Sequence, residues 1–286
     1  MLNRNDPLAL KWLLGAQIAA IRHKSGYSLG QLAQDTGYTR AKLGTMETGR
    51  FGQKPEDVST VLNACGAQQS DVERLKAMAE RIGGRPWWQQ WKDVLPEWFR
   101  LYVGLEGMAT SSFSLELWSV PGILQTERYA RAVTGATALV RPDHVERFAE
   151  FRKERAARID DLSKPLSLRM VIAETTLRVF VGDVDTMIEQ YDYLIEFAQR
   201  DNVTLQVLRP ESGPYAVGAG RFTVLDFADA LSVGYTELID DASYEAEPAK
   251  VRSYRWATEQ LERQAESPEQ SIKIIRAMRE KVLEGS

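Results

Sequence analysis

Leu10, Leu13, Leu14, Ile18 and Ile21 recur at steps of three and four, with Gln17 on the same stripe, which predicts an amphipathic helix ending near Gly26. The same grammar continues through residue 82: short helical runs separated by glycine, with no alternation of the strand kind. Ser28, with Gln31 three residues later, reads as a capping box opening a second helix. Gly37 supplies a left-handed turn and Thr39 caps a third helix. Pro55 suits the first turn of a fourth helix reaching about Ala64, and Ser70 is placed to cap a fifth that stops near Gly83-Gly84. Residues 1–82 are therefore expected to form an all-α bundle of about five helices, followed by a linker at 83–86.

Beyond the linker the period changes. The aromatic stretch WWQQWKDVLPEWFRLY predicts two helices broken before Pro96. Ser112–Trp118, Leu166–Ala173, Val203–Leu208, Arg221–Phe227 and Leu231–Tyr235 alternate as strands do, between helical patterns near 126–134, 143–160 and 184–200. Two further helices are expected near 248–264 and 268–283, so 87–286 reads as a mixed α/β (α+β) domain.

Charge sharpens the division. The net charge is -4, but residues 1–85 carry 12 Lys+Arg against 8 Asp+Glu, leaving the remainder with 24 against 32. The N-terminal part is the one suited to phosphates. The most apolar N-terminal stretch, Leu8–Ile21, is interrupted by Lys11 and Gln17 and falls short of the roughly 20 residues of a membrane span. The single cysteine, Cys65, cannot form an internal disulfide, and His23 and His144 offer no zinc spacing. A soluble cytoplasmic, nucleoid-associated protein is expected, with no membrane, metal or cofactor. Phosphate-loop, nucleophile-elbow and paired-histidine motifs are absent from the sequence, so an enzyme is not expected. Asp183 and Asp185, after Gly182, either open a helix or share a metal.

The segment YSLGQLAQDTGYTRAKLGTMETGR, residues 27–50, carries the functional signal. Leu43 and Met46 face inward beside Tyr38, leaving Arg40, Ala41, Gly44 and Thr45 outward on a helix whose first turn suits base edges in a major groove. With Ala33, Gly37 and the terminal Glu47-Thr48-Gly49-Arg50, residues 8–65 resemble the lambda-repressor/Cro class, the Xre family. The resemblance implies double-stranded DNA as partner. Its base contacts would fall to Arg40, Ala41 and Thr45, and its phosphate contacts to Ser28, Thr39, Lys42, Arg50 and Lys54. It also implies an ion pair between Arg22 and Glu47.

The run FRLYVGLEGMATSSFSLELWSVPGILQTERYARAV is similar to the C-terminal domain of actinobacterial Xre-type regulators of the WhiJ-like group. That similarity implies an antitoxin-like regulator with a small partner protein encoded nearby, and no catalytic activity. Trp88, Trp91, Trp98, Tyr102, Trp118 and Tyr129, with Trp87, are read either as a ligand or partner pocket or as an inter-domain core. The loop at 212–220 is read as a lid or as a hairpin connection. The expected function is a sequence-specific DNA-binding repressor acting as a homodimer. The alternatives are an interaction module in which the C-terminal domain binds a small protein or ligand, and, with least support, an enzyme.

Overall fold

Asp6 starts the first helix, α1 (Pro7–Lys24): its carboxylate accepts from the amides of Leu8 and Ala9, and Pro7 occupies the position where a missing N–H costs nothing. The computed structural model describes residues 5–137, 140–161, 163–214 and 220–285. Within the N-terminal bundle follow α2 (Leu29–Thr36), α3 (Arg40–Glu47), α4 (Pro55–Ala64) and α5 (Gln69–Glu80). Leu10, Leu13, Leu14 and Ile18 of α1 meet Leu32, Leu43, Val58, Leu62 and Leu75 in one core. The fifth helix starts two residues earlier than the sequence suggested: Gln68 is its N-cap and makes no side-chain cap bond, so Ser70 lies inside the first turn.

The aromatic stretch departs from expectation as well. Trp87–Trp91 form one 3-10 turn rather than an α-helix, and α6 (Glu97–Met108) begins only after Pro96. Then come β1 (Ser111–Glu116), α7 (Glu127–Gly135), α8 (Val145–Ala156), β2 (Ser167–Ala173), α9 (Glu174–Arg178), α10 (Val184–Phe197) and β3 (Val203–Leu208). The chain closes with β4 (Phe222–Asp226), β5 (Val233–Glu237), β6 (Ala242–Glu245), α11 (Pro248–Gln264) and α12 (Pro268–Glu284). Among the described residues the six strands form one mixed sheet in the order β3-β2-β1-β4-β5-β6, parallel through β3, β2 and β1 and antiparallel from β4 onward. An all-α N-terminal region thus precedes an α+β C-terminal region. Short α9 and edge strand β6 were not expected from the sequence.

Alternation divides the sheet into two faces. On one, Phe113, Leu115, Val171, Leu208, Phe222 and Val224 pack under Ala257 and Leu261 of α11. Gly234 lets that helix come close, since a Cβ there would lie 3.0 Å from the Tyr254 ring. On the other face Met170, Ile172, Leu205 and Val207 meet Met187, Tyr191 and Leu194 of α10 and Ile275 of α12.

The bundle is fixed to this second region by polar ties, of which the one at Asp6 is buried. Asp6, fully buried, accepts the Trp88 indole N–H at 2.7 Å, and its carboxylate lies where a Cβ on Gly104 of α6 would fall, 2.7 Å away. Burial pushes the Asp6 carboxyl up from its ordinary range. Arg74 of α5 donates to Gln17 Oε1 and to the Asp229 carbonyl, and Arg81 pairs with the Asp229 carboxylate. Tyr244 of β6 wedges into the first turn of α6: its hydroxyl accepts from the Tyr102 amide and donates to the Trp98 carbonyl, while its ring meets Trp12 of α1. Among the described residues no helix is long and apolar enough to cross a membrane.

Candidate nucleic-acid interface

Backbone chemistry fixes the angle between α2 and α3. The Ser28 hydroxyl accepts the Gln31 amide while Gln31 Oε1 accepts the Ser28 amide, so two of the unpaired donors of a helix start are satisfied. Gly37 ends α2 at φ 71°, a left-handed turn that lets the chain reverse within three residues. Thr39 then caps α3 by accepting the Lys42 amide at 3.1 Å. Leu43 and Met46 point into the core, and Thr39, Arg40 and Ala41 stand exposed at the leading turn.

The far end of α3 is held against α1 at van der Waals limits. A Cβ on Gly15 would fall 2.5 Å from the Glu47 carbonyl, and one on Gly49 would fall 2.6 Å from the Lys11 carbonyl. The Gln53 amide donates to the Lys11 and Met46 carbonyls at 3.1 and 2.7 Å, bridging the two helices where they cross. Arg22 and Glu47 meet in a two-pronged ion pair at 2.6 and 2.8 Å, with both side chains nearly buried, and Arg22 also donates to the Tyr27 carbonyl at 2.8 Å. Sequence reading overlooked Gly15 and Gln53. A glycine in the middle of an otherwise apolar helix is the one signal that marks the crossing.

The other nominated residues take different environments. Arg50 and Lys54 are exposed beyond α3. Thr45 is half-buried and its hydroxyl donates to the Lys42 carbonyl at 2.8 Å, so base contact would require it to turn or to offer its methyl. The Arg40 guanidinium folds back over Gly30 in the first turn of α2, where a Cβ would lie 2.6 Å from Nη2. The Ser28 hydroxyl already donates to Gln31 Oε1. Lys42 is the clearest departure from a free phosphate ligand: Nζ bonds Asp57 at 2.7 Å and sits 3.6 Å above the Tyr38 ring. Asp57 accepts the Tyr38 hydroxyl too, at 2.6 Å. Burial works to raise the Asp57 carboxyl, but these two donors hold it below its usual value. Lys42 therefore ties α3 to α4, and no local spacing in the sequence announced a partner 15 residues away.

Gly44 has no heavy atom within 4 Å of where its Cβ would be. Gly44→Ala should accordingly stabilise the protein by about 0.5–1 kcal/mol through helix propensity alone. Urea denaturation checks this; a loss of stability would show that the site is constrained by something other than space.

Of the aromatic residues nominated for a pocket, only Trp98 and Tyr102 line the large cavity of the C-terminal region. Trp88 and Trp91 are core, packed with Phe148 and Phe151. Tyr129 is fully buried between α7 and its neighbours, whereas Trp118 is 72% exposed just past β1. A tryptophan's sequence context does not reveal which of these it will be. Asp183 caps α10 by accepting the Thr186 amide, with Asp185 in the first turn, and among the described residues no acid or histidine cluster could hold a metal. Of the 212–220 loop, residues 215–219 lie outside the described residues.

Comparison with known protein families places a helix-turn-helix domain at residues 13–75. Residues 99–277 match the family described as a domain of unknown function, DUF5753. No curated protein and no solved structure matches the chain. The second of the two family matches spans well over half of the 286 residues, and the chain belongs to the DUF5753 family, with a helix-turn-helix domain ahead of that region.

Proposed function

We propose that the chain is a cytoplasmic, non-catalytic transcriptional repressor of the WhiJ-like Xre group, a homodimer that reads operator DNA with the first turn of α3. The observation that carries this reading is the exposed Thr39-Arg40-Ala41 turn, held out from the bundle by the capped α2–Gly37–α3 corner and the buried Arg22–Glu47 pair. An exposed, rigidly supported helix start is what a major groove accepts. A dimer would set two such helices about 34 Å apart, one turn of DNA, and so favour a roughly palindromic site.

Fluorescence anisotropy with duplex fragments taken from upstream of the coding sequence tests the reading. The affinity should fall linearly on a log-log plot against salt, with a slope near -0.9 per phosphate contacted. Failure to bind any such duplex at low salt would end the proposal. Arg40 is the residue to vary first. Arg40→Ala should cost about 1–3 kcal/mol at one base position if it reads a guanine edge. An equal loss on matched and scrambled duplexes would instead assign Arg40 to a phosphate beside the first turn of α2, where its guanidinium already lies.

A further inference from the structure

Strand β1 carries Ser112, Ser114 and Glu116 at alternate positions, so all three point to one face of the sheet. Ordinary patterning would put such a face in water. Here the three residues are 3%, 4% and 9% exposed. Register sets Thr223 of β4 opposite Ser114 and Tyr235 of β5 opposite Thr223, so a polar patch crosses three strands in the middle of the sheet. Above the patch lies a cavity of about 470 Å3, whose other walls come from α6, α8 and the segment 119–125. The volume falls in the range of small-molecule sites, and Trp98, Phe99 and Phe148 give it a flat apolar flank.

Among the described residues, each inner guanidinium of the cavity but one is in contact with a carboxylate. Arg155 is met by Glu106 through two bonds of 2.7 Å, and Arg221 pairs with Glu237 and lies 3.7 Å from Glu116. Burial pushes the Glu116 carboxyl up to about 7. Arg152 has no carboxylate partner among the described residues: it donates to Gln125 Oε1 and, at 3.3 Å, to the Ala130 carbonyl, and lies over the Phe148 ring. Burial, with Arg155 nearby, lowers its pKa to about 10 against the opposing pull of Glu237. Gln125 is itself pinned by donating to the Val120 carbonyl at 2.7 Å, so the guanidinium is held in place. A second observation is independent of the first. Among the described residues Ser114 Oγ, buried on the cavity wall, has no hydrogen-bond partner, which a buried hydroxyl rarely tolerates.

We propose that this cavity binds a small hydroxylated aromatic carboxylic acid, with its carboxylate on Arg152, its ring against Trp98, Phe99 and Phe148, and its hydroxyl at Ser114. A single unpaired guanidinium beside Glu106, Glu116 and Glu237 favours a monoanion over a doubly charged phosphate. The site adjoins the DNA-binding bundle, since α6 lines the cavity with Tyr102 and Glu106 and abuts Asp6 of the α1 cap through Gly104.

The test reads binding on the full-length protein without DNA, so it stands or falls apart from the operator reading. Probes are 4-hydroxybenzoate, 4-hydroxyphenylacetate and 4-coumarate, each beside its primary amide, followed by thermal unfolding and titration calorimetry. At ten times its dissociation constant at least one acid should raise the thermal midpoint by about 2–4 °C, and its amide should not. Arg152→Gln should weaken that acid about tenfold or more, and Ser114→Ala should weaken it relative to the same acid lacking the hydroxyl. Should Arg152→Gln fail to fold, Arg152→Lys keeps the charge but loses the fork and should still bind several-fold more weakly. The proposal is overturned if no acid of the set shifts the midpoint, if amides bind as well as acids, or if the folded Arg152 variant binds the acid like the parent.

Discussion

Glu47→Ala should lower the unfolding free energy by about 3–5 kcal/mol, because it leaves Arg22 buried and charged with only carbonyl and imidazole neighbours. The carboxylate accepts from both Nε and Nη2 of Arg22, so its removal costs the guanidinium two charge-assisted bonds at once. The loss extends to function. Glu47 is the last residue of α3, and its backbone carbonyl already touches α1 at Gly15. Without the pair the third helix is free to pivot, and duplex affinity should fall with stability. Urea denaturation measures the first effect and anisotropy the second. The double variant Arg22→Met with Glu47→Leu should recover most of the stability, since two apolar side chains of similar volume remove the unpaired charge. A loss below 1 kcal/mol in Glu47→Ala would mean that Arg22 reaches water in solution.

Glu106→Ala should cost a comparable 3–5 kcal/mol in the other region. Here the stranded cation is Arg155, whose side chain is 8% exposed, and Arg152 nearby adds repulsion. Tyr102 loses a partner as well, since its hydroxyl donates to the same carboxylate at 3.0 Å. Because α6 is shared between the cavity and the contact with α1, this change should lower a single unfolding transition rather than split it. The ties through Asp6, Arg74 and Arg81 support that expectation, as does one apolar core that runs from Leu10 to the sheet. Circular dichroism at 222 nm and tryptophan fluorescence should give coincident curves for Glu106→Ala; curves that separate would show that the bundle unfolds independently.

What could be read from the chain was local. The Ser28–Gln31 box, the Gly37 reversal, Pro55 and the Leu43–Met46 spacing act within a few residues, and each appears in the folded bundle where its chemistry requires. Five of six strands showed through alternation. The sixth, Ala242–Glu245, is four residues without a β-branched side chain, too short to show alternation, although Ala242 and Tyr244 share a face packed on the core and β5 offers the strand an edge. The five-residue helix Glu174–Arg178 is too short to carry a period. The Arg22–Glu47 pair was implied by family resemblance, not by spacing, and the Lys42–Asp57 pair was not foreseen at all, since both depend on how helices cross. The aromatic set divides for the same reason, Trp98 and Tyr102 lining the cavity while Trp88 and Trp91 join a core. Aromatic content marks where apolar mass is concentrated, whereas one wall of the cavity is set by Ser112, Ser114 and Glu116, whose inward direction depends on how β1 pairs with its neighbours.

Those inward serines separate two kinds of inheritance along a single strand. Odd-numbered positions 113 and 115 are committed to the layer under α11, where any polar substitution breaks close packing. Even-numbered positions 112, 114 and 116 face an open volume and answer to whatever occupies it. Relatives built on this sheet are thus free to exchange one chemical preference for another at every second residue, leaving the scaffold's own requirements untouched.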